Sequence, residues 1–170
     1  MNKVAEFKKI SFKQFKKDVN DTSIYRVIDD NYFIELYEDI VIPKRSTDGS
    51  AGHDICIPFD INLLPNDTLK VPTGIRCEMK KEWVMLIFPR SSMGIKKGLR
   101  ILNTIPVIDS DYAYADNEGH IFICIKNESN EVMKLRKGDK IVQAVFVPFG
   151  VADNEEINCK RTGGIGSTGN

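Results

Sequence analysis

Apolar positions in this chain gather in short runs rather than long stripes, and polar or chain-breaking residues part them. From Tyr32 onward the runs cover 33–42, 55–57, 69–71, 74–79, 83–88, 120–126, 132–135 and 141–147. Proline, glycine, asparagine and aspartate fill the gaps. That rhythm predicts many short strands and an all-β sandwich, barrel or jelly roll. In the 120–126 run, Ile121, Ile123 and Ile125 alternate with Phe122 and Cys124. Both sets are apolar, so both faces of that strand are expected to be buried.

The first 30 residues read differently. Six lysines (Lys3, Lys8, Lys9, Lys13, Lys16, Lys17) mix with Phe7, Phe12 and Phe15. Ser11 and Gln14 have capping-box spacing, and Ile10 with Phe15 matches a hydrophobic staple, which predicts a short helix over 12–19. Its lysines form either a solvated face or a contact for nucleic acid or an acidic partner. At the other end, residues 160–170 hold no core-forming side chain beyond Ile165, so a flexible glycine-rich tail is expected.

A chain of 170 residues suits one domain that buries about 70% of its unfolded surface. Lys plus Arg and Asp plus Glu each number 24, so the formal net charge is zero. No basic field covers the molecule, and no nucleic-acid partner is expected. A polyanionic small substrate needs only local positive charge and stays open. Cys56, Cys77, Cys124 and Cys159 form no CxxC pair, and His53 and His120 lie far apart, which argues against structural zinc. Reduced cysteines and the lack of an apolar run of membrane length point to a cytoplasmic protein without a membrane partner.

Candidate chemistry sits in four stretches. In Asn103-Thr104-Ile105-Pro106-Val107-Ile108-Asp109-Ser110-Asp111-Tyr112, apolar residues lead into acids and a tyrosine. Asp109 beside Tyr112 suits a general base next to a flat binding surface, or a polar hairpin tip. Pro89-Arg90-Ser91-Ser92-Met93-Gly94 follows an apolar strand and reads as an anion cradle or a capped helix start. Residues 137–143 read as a hairpin turn, with Gln143 as the polar outlier. The tail carries Arg161 with glycines and hydroxyls, either to close over phosphates or as a disordered terminus.

Together with residues 51–55, these stretches resemble the five ordered motifs of the trimeric dUTP pyrophosphatases (dUTPases). The motifs are Ala51-Gly52-His53-Asp54-Ile55, then residues 89–94, 103–112, 138–143 and 161–169. The resemblance implies a jelly-roll β-barrel of short antiparallel strands over 31–158, an N-terminal extension over 1–30 and a tail over 159–170 that closes the active site. It implies a homotrimer acting on dUTP, with each site drawn from three chains.

In that resemblance Asp109 is the catalytic base that aims water at the α-phosphorus. Tyr112 packs on the deoxyribose and leaves no room for a 2′-hydroxyl. Asn103 and nearby backbone groups pair with the uracil edge, and Val107, Ile108 and Phe122 are further substrate-binding residues. Arg90, Ser91, Ser92 and Gln143 hold phosphates, and Gly94 is a further substrate-binding residue. Asp54, Gly138 and Asp139 support the motifs. Arg161, Gly164, Ile165, Gly166, Ser167 and Thr168 fold over the nucleotide. Mg²⁺ is carried mainly by the triphosphate and water, so no protein metal ligand is expected.

The chain departs from the family pattern at four places. Ile165 replaces a stacking phenylalanine, Pro106 a glycine, and His53 an aromatic or aliphatic residue. Residues 113–119 lengthen the segment after Tyr112. Two alternatives are a dCTP deaminase of the same fold and a phage-type dUTPase that also binds a regulatory protein through residues 1–30 or 113–119.

Overall fold

The computed structural model describes residues 2–22 and 29–154. Its strands are β1 (Ala5–Lys9), β2 (Lys44–Arg45), β3 (His53–Cys56), β4 (Ile61–Leu63), β5 (Thr68–Pro72), β6 (Ile75–Met79), β7 (Trp83–Pro89), β8 (Leu99–Ile101), β9 (Val107–Ile108), β10 (Phe122–Asn127), β11 (Met133–Leu135) and β12 (Lys140–Pro148). The helices are α1 (Phe12–Asn20) and α2 (Asp30–Glu38), with a π-helical turn over Ser92–Lys96 and a 3₁₀ turn over Ser110–Tyr114. All strand pairing is antiparallel. The largest sheet runs β2-β3-β12-β7-β9, and three smaller ones run β5-β10-β8, β11-β4 and β1-β6. This is the all-β, jelly-roll-like architecture that the short runs predict, although the sheets do not close into one barrel.

The core forms where inward positions of these sheets meet. Ile55, Ile57, Phe59, Ile75, Met85, Ile87, Ile101, Ile121 and Ile141 are almost fully buried. Each such side chain contributes about 1.5–3 kcal/mol relative to exposure. On β10 only one face is fully buried. Ile123, Ile125 and Asn127 are buried, whereas Phe122, Cys124 and Lys126 are half-buried. The expected double burial is therefore partial, and Lys70 lies 4.0 Å over the Phe122 ring on the half-covered side.

Helix α1 starts where the capping pattern places it. Ser11 Oγ accepts from the Gln14 N–H at 3.2 Å. Phe15, Asp18 and Val19 turn inward, while Lys13 and Lys17 face solvent. Lys16 pairs with Asp30 and lies over the Phe33 ring, which joins α1 to α2.

Two expectations for this region change. The strand expected over 33–42 is instead helix α2 through Glu38. Its buried residues, Phe33 and Leu36, continue to half-buried Tyr37 and buried Ile40, a helical period rather than a strand's alternation. Asp29 caps its start, and Lys9 Nζ donates to the carbonyls of Tyr37 and Glu38 at 2.8 Å each. Residues 5–9, for which no element was expected, form β1 on the edge of β6, with Lys8 and Glu78 paired at 2.6 Å.

Candidate active site

The strand register brings three of the five motifs together at one end of the large sheet. Gln143 on β12 lies between Asp54 on β3 and Phe88 on β7. Gly52 packs so closely on the Gln143 amide that a Cβ there would collide with it. Arg90 leaves β7 at the same end, its N–H donating to the Ile141 carbonyl at 3.3 Å.

Asp54 is the centre of this group. Its carboxylate is 3.0 Å from Arg90 Nε and 2.8 Å from Lys140 Nζ, and it accepts from Ser46 Oγ at 2.7 Å. Burial pushes the Asp54 carboxyl up, but the hydrogen bonds from Lys140 and Ser46 and the Arg90 charge outweigh it. They hold the acid below the usual carboxylate range. One buried acid thus holds two partly exposed cations at a strand exit. Such a group can receive an anion without moving its scaffold. Lys140 lies inside the 138–143 motif without being singled out there, and Ser46 lies outside all five motifs. Lys140 reaches Asp54 only through tertiary structure, across 86 positions, whereas Ser46 lies 8 positions away.

Next to Arg90, Ser91 and Ser92 are exposed at the start of the π-helical turn, and Gly94 is half-buried. The capped-start reading does not hold for Ser91, whose side chain makes no capping hydrogen bond. The amides of Met93 and Gly94 are taken by the Arg90 carbonyl at 2.9 and 3.0 Å. Gly138 (φ +86°) and Asp139 form the turn before β12. Asp139 Oδ2 accepts from the Arg136 N–H at 2.9 Å, so both act as turn residues.

The third motif sits elsewhere. On β9, Val107 faces Leu86 and Ile108 faces Met85. Asp109 follows Ile108, on the side away from Arg90. Met85 and Arg90 are five positions apart, about 16 Å at ~3.3 Å per residue. Within one chain, then, Asp109 does not meet the Arg90 group. Asp109 opens the 3₁₀ turn in an extended conformation, and its side chain does not cap that turn. Asn103 is exposed beside Thr104, whose φ of +60° is rare for a β-branched residue. Such a conformation costs about 1–3 kcal/mol and marks a loop held in one shape.

Tyr112 is buried. Its hydroxyl donates to the His120 carbonyl at 2.7 Å and accepts from Asn117 Nδ2 at 2.8 Å. Phe122 packs against His120 at a tilt, with ring centroids 4.3 Å apart. His53 packs against Phe7 and Phe146, and burial pushes its imidazole below the ordinary value. Arg161, Gly164, Ile165, Gly166, Ser167 and Thr168 lie outside the described residues.

A family model described as dUTPase matches residues 38–169. The chain belongs to the dUTPase family. It is 45% identical over 133 residues to the deoxyuridine 5′-triphosphate nucleotidohydrolase of Lactococcus lactis, covering 76% of this chain and 89% of that protein. The crystal structure of the dUTPase from Streptococcus mutans superposes with a TM-score of 0.64 at 38% identity, covering 69% of this chain and 91% of the other. A mutant dUTPase from phage phi11 of S. aureus, described with a structural Mg(II) ion, shares the fold with a TM-score of 0.60 at 22% identity, over 73% and 94% of the two chains. The family model begins at residue 38, so β1, α1 and nearly all of α2 precede it. Among the described residues no helix is long and apolar enough to cross a membrane.

Proposed function

We propose that this dUTPase-family enzyme hydrolyses dUTP to dUMP and pyrophosphate at sites shared between the subunits of a homotrimer. The observation that carries this reading is the Asp54–Arg90–Lys140 group beside Gln143, a preformed positive cradle assembled from three motifs. The cradle takes phosphate oxygens through the Arg90 fork and the Ser91 and Ser92 hydroxyls. Asp109 orients the attacking water and takes its proton, worth on the order of 10² to 10⁴ in rate. Asn103 pairs with the base, Tyr112 borders the sugar, and the tail from Arg161 to Thr168 closes over the nucleotide.

The separation of Asp109 from Arg90 supports a site completed by a neighbouring copy. So do the large apolar side chains uncovered in the single chain, among them Ile105, Val107, Tyr114, Val147 and Phe149. Mg²⁺ fits as a companion of the substrate, because Asp54 is already held by Arg90, Lys140 and Ser46. Arriving with the substrate, the ion would supply positive charge that offsets that of the triphosphate.

The decisive substitution is Asp109→Asn. It should abolish turnover while calorimetric titration still shows binding of a non-hydrolysable dUTP analogue; normal turnover removes Asp109 from the mechanism. Incubation with dCTP separates the deaminase alternative, since release of ammonia refutes the hydrolase reading.

A further inference from the structure

The N-terminal segment and the lengthened 113–119 segment are joined by a continuous set of hydrogen bonds. Ser11 donates twice to Glu118, from its N–H to Oε2 at 2.7 Å and from its hydroxyl to Oε1 at 2.6 Å. Deeper in, the Ile10 N–H donates to the Gly74 carbonyl at 3.1 Å, and the Gly74 N–H donates to His120 Nε2 at 2.8 Å. Because Nε2 accepts, Nδ1 carries the imidazole proton. That Nδ1–H donates to Asp18 Oδ2 at 2.5 Å. The Gln14 amide donates to both Asp18 oxygens at 3.0 and 2.9 Å. His120 is fully buried and Asp18 is 8% exposed.

The far side of His120 reaches the third motif. Its carbonyl accepts the Tyr112 hydroxyl, and Asn117 donates to the same hydroxyl. The Tyr112 N–H donates to the Asp109 carbonyl at 3.2 Å. Gly119 (φ +70°) lets the loop close on this turn, since a Cβ there would lie 2.5 Å from Ala113 Cα and 2.7 Å from the Tyr112 carbonyl oxygen. An unbroken path thus runs from α1 through Asp18 and His120 to Tyr112 and Asp109. Its first member lies before the residues that the family model matches.

We propose that Asp18 and His120 are positioning residues: through them the N-terminal helix holds the Asp109–Tyr112 turn and sets how strongly the site prefers deoxyribose over ribose. This rests on the proposed function, in which Tyr112 borders the sugar and Asp109 aims the water. Removing the Asp18 carboxylate leaves the buried Nδ1–H without its acceptor, so the ring shifts and its carbonyl and the Tyr112 ring follow. A displacement of 1 Å costs up to about 10²-fold in rate.

The test compares Asp18→Ala with Asp18→Asn in the full chain, with kcat and KM for dUTP and UTP measured well below the unfolding midpoint. For Asp18→Ala we expect kcat on dUTP to fall about tenfold, with KM changed far less. The dUTP-over-UTP ratio of kcat/KM should fall as well. Asp18→Asn should recover most of both, because the amide oxygen still accepts the Nδ1–H. Wild-type kcat and selectivity in Asp18→Ala, with only a lowered midpoint, would reduce the path to a structural brace and overturn the proposal.

If Asp18→Ala does not fold, Glu118→Ala decides the matter from the exposed end of the path. A selectivity loss of about threefold supports the proposal, within the same displacement argument; an unchanged ratio overturns it. A wild-type enzyme that does not turn over dUTP overturns the reading of the site itself, whereas an active wild type with a silent Asp18→Ala overturns the positioning role alone.

Discussion

Two buried aspartates at different places in the fold are held by opposite means. Asp54 faces two cations, Arg90 and Lys140, whose side chains are 35% and 44% exposed. Asp18 faces a fully buried imidazole and the neutral Gln14 amide. In both, burial pushes the carboxyl up and hydrogen bonds from the partners outweigh it, so both acids stay below the usual range. The surroundings differ in what they can still do. Around Asp54 the charges reach solvent and can be shared with an incoming anion. Around Asp18 every donor is spent inside, which suits geometry rather than ligand capture.

The largest test of this contrast is Arg90→Ala. It removes the fork from the cradle and should lower dUTP turnover by about 10²- to 10³-fold in a steady-state assay. Arg90→Lys should recover only part, since lysine lacks the planar fork. Next is Asp54→Ala, expected to cost about 1.5–3 kcal/mol in urea unfolding through lost charge-assisted hydrogen bonds. The two cations it releases remain solvated, so the fold should survive. A loss no larger than that of an exposed ion pair would erase the distinction drawn for Asp54.

Acid should separate the two sites by their pH windows. Burial pushes the His120 imidazole below its ordinary 6.5; Asp18 and Glu118 oppose this without reversing it, and Lys70 adds to the lowering. The unfolded chain therefore takes up a proton near pH 6.5 that the folded chain refuses. Stability must fall as pH drops below that value toward the lowered folded pKa. Asp18 and Asp54, with folded values held below 3.8, add their loss only as pH falls through and below that value. His120→Gln should flatten the slope just below pH 6.5 in pH-resolved thermal melts. An unchanged slope would place the acid sensitivity elsewhere.

The smallest effect belongs to Ser11→Ala. It removes both the cap on Gln14 and the hydroxyl bond to Glu118, and should cost about 1 kcal/mol in the same melts.

Much of this protein was legible along the chain because its signals are local. Short apolar runs with proline and glycine between them marked β-structure, and Ser11 with Gln14 marked the start of α1. The order of the motifs marked the family. The misread stretch, 33–42, is apolar enough for a strand, and its helical period shows only once Phe33 and Leu36 are seen on one buried face. β1 carries two lysines and one glutamate in five residues and gains its shape from pairing with β6.

What the sequence alone determined was the kind of fold and the family, since the first follows from short local runs and the second from the order of short motifs. Only the tertiary structure decided the company the motif residues keep. Lys140 came to Asp54 across 86 positions and His120 to Asp18 across 102. It also set Asp109 and Arg90 toward opposite ends of one sheet. The physical reason is that pairing register and burial arise between distant segments, where the free energy of packing selects partners that no local pattern encodes.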